Sequence, residues 1–96
     1  MIKRYKKRPV IIEAIQFTGH NGTELSDWSE SKVFVSPVLE ISPDNPTGEY
    51  VQVKTLEGTM TGTVGDFIIK GIKGEFYPCK YDIFTETYKE VNVNNE

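Results

Sequence analysis

The chain has one cysteine and one histidine among its 96 residues. A single cysteine excludes an internal disulfide and a cysteine-based zinc cluster. Cys79 and His20 make a nucleophile–base pair formally possible. Such a pair needs a depressed thiol pKa and a close approach. The plainer expectation is a buried structural thiol beside Pro78 and a histidine in a turn. Long apolar runs are also missing. The longest, residues 10–17, is broken by Glu13 and Gln16 and falls short of the roughly 20 residues of a membrane helix. The basic first residues are not followed by the apolar stretch and small-residue cleavage site of a signal peptide. The expected compartment is therefore the cytoplasm, with no membrane partner. No loop has calcium-site spacing, and no metal or cofactor is expected. Gly71-Ile72-Lys73-Gly74 lacks the strand–glycine–helix order of a phosphate-binding loop and reads as a tight hairpin turn.

What is present suits one small domain over residues 1–96, with an apolar content of 38%. The net charge of −3 hides an asymmetry. Lys3, Arg4, Lys6, Lys7 and Arg8 are five of the eleven basic residues and form a basic arm over residues 1–8. The remainder has six basic and fourteen acidic residues, a net −8. Such an arm can hold an anion, a nucleic acid or an acidic partner surface. It can equally dock on the chain's own acidic body and help oligomers form. Its plain reading is a solvated start to an edge strand, and nucleic acid is not the expected partner.

Residues 9–18 read as a first strand with apolar residues on both faces, as in a strand buried on both sides. Residues 19–22 turn the chain, and Asn21 or Thr23 can cap a helix running to about Ser31. Leu25 and Trp28 would pin that helix to the core. A short strand at 33–35 leads into a proline-rich loop over 36–48, with a brief extended piece at 38–41. Residues 49–55 and 59–64 alternate as a hairpin, with Val51, Val53, Met60 and Val64 inward. Residues 67–70 and 75–79 form a second hairpin. Asp82 can cap a final helix over about 83–89, with Phe84 and Tyr88 one turn apart, before a frayed tail at 92–96. The expected fold class is α+β: a small, mostly antiparallel β-barrel or roll with one or two short helices.

The segment 65–88 concentrates the candidate chemistry. Glu13, inside an apolar strand, is at a barrel mouth, paired with a cation, or part of a site. Glu75 and Asp66 could join it as paired acids, but nothing fixes the separation that acid–base catalysis needs. No catalytic residue is assigned. Lys70, Lys73 and Lys80 lie near Tyr77 and Tyr81 in the sequence. Cations beside aromatic faces suit a nucleotide-like ligand, with charge for the phosphate and stacking for the base. The same mixture suits a protein interface.

Two segments carry a resemblance. Arg8-Pro9-Val10-Ile11-Ile12-Glu13-Ala14-Ile15-Gln16-Phe17-Thr18-Gly19 resembles PVxVEAxQ(F/W)TG, and the segment 65–88 resembles GDxIIxGVxGEFYPCKPDIFxxTY. Both motifs are those of a family of small phage and prophage proteins. The chain departs from the pattern at Tyr81, where that family often has proline. The resemblance implies a phage or prophage origin and assigns no activity. It implies a shared site or scaffold at Glu13, Gln16, Asp66, Glu75, Tyr77, Cys79, Lys80 and Asp82.

The expected function is a non-enzymatic binding protein, a homo-oligomer engaged in counter-defence. It would sequester a host nucleotide-type immune signal or bind a host defence protein. The expected ligand-binding residues are Arg8, Glu13, Gln16, Lys70, Lys73, Glu75, Tyr77, Lys80 and Tyr81. The alternatives are an accessory protein that docks on phage or host proteins, and a small enzyme acting on a nucleotide or nucleic acid.

Overall fold

The computed structural model describes residues 1–37, 43 and 49–91. The elements run β1 (Glu13–Gln16), α1 (Gly22–Trp28), β2 (Val33–Pro37), β3 (Glu49–Thr55), β4 (Gly58–Gly62), β5 (Phe67–Lys70), β6 (Phe76–Cys79) and α2 (Tyr81–Thr87). The described strands form two antiparallel three-stranded sheets, ordered β1-β5-β6 and β2-β3-β4, and no closed barrel. The class is α+β. The expected extended piece at 38–41 and the tail at 92–96 lie outside the described residues.

Strand alternation decides what is buried. Val51 and Val53 of β3 point inward and join Phe17, Leu25, Val33, Ile68 and Phe76 in one core. Trp28 packs on its edge, so Leu25 and Trp28 do pin α1 as expected. Met60 does not point inward. It is 46% exposed, on the edge strand of its sheet, where residues 58–61 are all exposed and only Gly62 is buried.

The first strand is shorter than the pattern predicts. Glu13 pairs with Lys70, the last residue of β5. The chain then turns at Gly71, so residues upstream of Glu13 have no neighbouring strand. Val10 and Ile11 are exposed instead of buried on both sides.

Helix α1 starts behind Asn21 as expected but ends early, and α2 differs at both ends. Asn21 is the N-cap of α1, but its side chain makes no cap bond. Asn21 Oδ1 accepts from the Thr18 amide at 3.0 Å and its Nδ2 donates to the Gln16 carbonyl at 2.7 Å, tying the β1–α1 turn. Helix α1 ends at Trp28, not Ser31, because Glu30 and Ser31 take positive φ. The buried Ser29 hydroxyl then accepts from the Val33 amide at 2.9 Å and starts β2. Helix α2 begins at Tyr81, with Lys80 in the extended N-cap position. Asp82 is therefore inside the first turn, not the cap. Its carboxylate accepts from the Ile83 amide at 2.9 Å, and its charge suits the positive end of the helix.

Candidate functional site

The glycine–aspartate turn that opens the 65–88 segment is a structural junction. Asp66 is 5% exposed. Its Oδ2 accepts from the Thr63 amide at 2.9 Å and from Lys80 Nζ at 3.0 Å. The Asp66 carbonyl accepts from the Phe17 amide at 2.8 Å, and Gly65 N–H donates back to the Phe17 carbonyl at 2.8 Å. Gln16 Nε2 donates to the Gly65 carbonyl at 3.1 Å. The structure thus brings Gln16, Asp66 and Lys80 together, with each polar group answering a neighbour in the fold. A buried carboxylate needs such partners.

Glu75 is absorbed in the same way. Its Oε1 accepts from the Lys73 amide at 3.0 Å, bracing the β5–β6 turn. Its carboxyl lies over Gly71, where a Cβ would collide with it. Lys70 Nζ sits 5.9 Å from the centroid of the Phe76 ring. Glu13 Oε1 accepts the Trp28 indole N–H at 3.0 Å, and Trp28 meets Phe76 edge-on at 5.1 Å.

Register separates the remaining candidates. Glu13, Lys70 and Phe76 are cross-strand neighbours and share one face of the β1-β5-β6 sheet. Tyr77 is paired with Ile69 and points to the other face. Lys70 and Tyr77 therefore cannot grip one small ligand from the same side. Lys73 is in the exposed turn and Arg8 in the exposed arm.

The second face carries a different constellation. Phe67 stacks on Phe84 of α2 at 3.8 Å, with ring planes 6° apart. Tyr81 extends the stack from Phe67 at 6.2 Å, and Tyr88 extends it from Phe84 at 5.0 Å. Ile69, only 1% exposed, shares this face with Phe67 yet lies outside the main core cluster. The aromatic ladder is thus a small second core between sheet and helix.

The amine of Lys7 closes one end of the ladder. Its Nζ donates to the Tyr88 hydroxyl at 2.8 Å and stands 4.7 Å from that ring's centroid. Tyr77 lies beside Tyr88. Burial, then the hydrogen bond to Tyr88, push the Tyr77 phenol up to about 12. Cys79 is half-buried, and burial raises its thiol, with Asp66 and Asp82 adding to the shift and Lys7 opposing it. A raised thiol pKa is the opposite of what a nucleophilic cysteine needs. His20 lies in the exposed turn before α1, where its amide donates to Thr18 Oγ1 at 3.2 Å.

Between the ladder and the returning N-terminal segment runs an apolar groove of about 770 Å³. Val10, Ile12 and Ala14 form one wall, and Phe67, Phe84 and Tyr88 the other. None of the sequence-predicted site residues lines it, although Tyr81 stacks on its wall through Phe67. The one-turn spacing of Phe84 and Tyr88 was the available signal. The return of residues 10–12 onto α2 had no signal, because it depends on tertiary packing.

Among the described residues, no group of three or more histidine, cysteine or carboxylate side chains could hold a metal ion. No helix among them is long and apolar enough to cross a membrane. The chain matches no protein-family model, no curated protein and no solved structure.

Proposed function

We propose that this chain is a non-enzymatic binding module of the phage or prophage type its motifs resemble. It holds a flat, anionic, nucleotide-type ligand in the groove beside α2, and sequestering a host immune signal is the counter-defence role that fits. The observation that carries this reading is the aromatic wall of Phe67, Phe84 and Tyr88, with the Lys7 ammonium 2.8 Å from the Tyr88 hydroxyl. The cleft of about 770 Å³ is lined mainly by apolar side chains with Lys89 and Glu90 among them, and Lys7 reaches it through Tyr88. Its size is usual for small-molecule sites. Aromatic side chains and a cation are the groups that hold a base and its phosphate.

The polar candidates support binding over catalysis. Asp66, Glu75 and Glu13 each accept a hydrogen bond from the fold itself. The Cys79 thiol is shifted away from thiolate. Lys80 is matched by Asp66, which moves the phosphate-holding role from the hairpin lysines to Lys7.

Calorimetry and thermal shift against a panel of cyclic and linear nucleotides test this reading. Binding that weakens in Lys7→Ala and Tyr88→Ala supports it. Silence across the panel overturns it. A second reading, docking on a phage or host protein, is favoured by the exposed Tyr81 and Ile83 at the start of α2. A stoichiometric protein captured from infected cells, lost on Tyr81→Ala and Ile83→Ala, would favour it.

A further inference from the structure

Residues 9–12 have strand chemistry and no strand to pair with. Val10, Ile11 and Ile12 are β-branched, the type enriched in strands. The β1–β5 register ends at Glu13 opposite Lys70, and β5 ends there too. The next residues turn tightly, with the Gly71 amide donating to the Glu75 carbonyl at 2.7 Å. The segment therefore overhangs its own sheet. Ile11 is 75% exposed and Val10 43%. Strand β1 is also the edge of its sheet. An extended edge with unpaired backbone is a template for another strand.

We propose that the occupant of this edge is the same segment of a second copy, paired antiparallel across a twofold axis. Two identical segments that pair through one shared edge give a closed, isologous dimer. Charge selects this partner. In an antiparallel pair, the arm upstream of Pro9 runs along the other copy's β1. That path carries Lys3, Arg4, Lys6 and Arg8, all exposed, beside exposed acids of β1 and α1: Glu13, Glu24 and Asp27. Helix α1 lies along β1 there, since Asn21 bonds the Gln16 end and Trp28 bonds Glu13. Opposite charges thus face each other along the proposed seam. Pairing uses the backbone edge, so Val10 and Ile12 keep their places in the groove wall. The dimer would fix that wall without depending on any ligand.

Sedimentation velocity of the full chain, without ligand, tests the proposal. The expected result is a dimer that dissociates as salt is raised, because exposed charges are screened. Phe17 bonds the β5 side and the Gln16 carbonyl faces outward, so by alternation the Ile12 N–H is on the free edge. Ile12→Pro removes it and is expected to give a monomer with unchanged circular dichroism. Hydrogen exchange on the unaltered chain is a second readout. The amides of Val10 and Ile12, on the free edge, should exchange more slowly as concentration rises. A monomer at every concentration, or a dimer whose Val10 and Ile12 amides exchange freely, overturns the proposal. So does a folded Ile12→Pro variant that still dimerises. Nucleotide binding is measured separately, so failure of the ligand reading leaves this result standing.

Discussion

Lys80 Nζ lies 3.0 Å from Asp66 Oδ2, a link that ties the end of β6 to the turn before β5. The two partners are unequal: Asp66 is 7% exposed at the side chain and Lys80 61%. Lys80→Ala leaves the carboxylate with its Thr63 amide, and loss of an exposed ion-pair partner costs at most about 1 kcal/mol. Asp66→Ala strands that amide as well, and an unsatisfied buried donor costs about 1–3 kcal/mol. Urea unfolding, followed by fluorescence of the only tryptophan, Trp28, should therefore rank Asp66→Ala well above Lys80→Ala. Equal losses would show that the carboxylate is held for the lysine and not for the turn.

Gly62 of β4 is packed against both its own sheet and the other one. A Cβ there would stand 2.9 Å from Val51 Cγ1, 3.3 Å from Asp66 Oδ2 and 3.5 Å from Pro78 Cβ. Its neighbours come from β3, the junction turn and β6, so no single shift relieves all the contacts. Overpacking of this kind costs about 1–3 kcal/mol, and Gly62→Ala should lower the urea midpoint accordingly. At Gly71 the obstacle is only the end of the Glu75 side chain, which can swing away. Gly71→Ala should be milder, costing the Lys73 amide its acceptor. If the two alanine variants lose the same stability, the crowding at Gly62 is relieved by a movement the fold does not show.

Alternation made β3 and its buried Val51 and Val53 legible, because a strand with one face on a core repeats every second residue. The second hairpin was legible from the glycines of its turn, Gly71 and Gly74. The length of the first strand was not. Nothing in residues 9–12 says that β5 stops at Lys70, and pairing needs a partner. The helix ends were decided by side chains choosing between acceptors. Asn21 ties the turn instead of capping the helix. Tyr81 is a different case. It occupies the first helical position, where proline is favoured. The candidate site was legible as a list of residues but not as a place. Strand register puts Lys70 and Tyr77 on opposite faces, and a pair of turns absorbs Asp66 and Glu75.

Glu13 is the acceptor for the Trp28 indole N–H, not a spare acid. Glu13→Gln keeps an oxygen in place and should change little. Glu13→Ala removes it, and a hydrogen bond of this type contributes about 0.5–1.5 kcal/mol, at the low end because the site is exposed. The emission of Trp28 should move in Glu13→Ala and hold in Glu13→Gln. Loss of ligand binding in Glu13→Gln with emission unchanged would instead make the charge functional.

Cys79 should behave as a protected thiol. Burial first, then the charges of Asp66 and Asp82, raise its pKa above the ordinary 9.0. Since the thiolate is the reacting form, alkylation at neutral pH should be slower than for a free cysteine and should accelerate in Asp66→Asn. Rapid alkylation of the unaltered chain would return Cys79 to the list of nucleophiles.

Tyr77 gives the fold a defined response to alkali. Its phenol keeps its proton up to about 12 in the folded chain, against an ordinary value of 10.0, because it is buried beside Tyr88. In the unfolded chain the proton leaves first. Between those two values the unfolded state binds fewer protons than the folded one, so stability falls as pH rises. Below pH 10.0 this contribution is complete, and by about pH 12 it is lost. The informative quantity is the difference between the unaltered chain and Tyr77→Phe, in which contributions from other groups cancel. The variant cannot ionise at this position and should show a shallower decline above pH 10.0. Tyrosinate absorbance gives the second readout: a component that titrates near 12 should vanish in Tyr77→Phe. Parallel declines in the two proteins, with the late titration still present in the variant, would mean that Tyr77 is not the group held protonated at the end of the ladder.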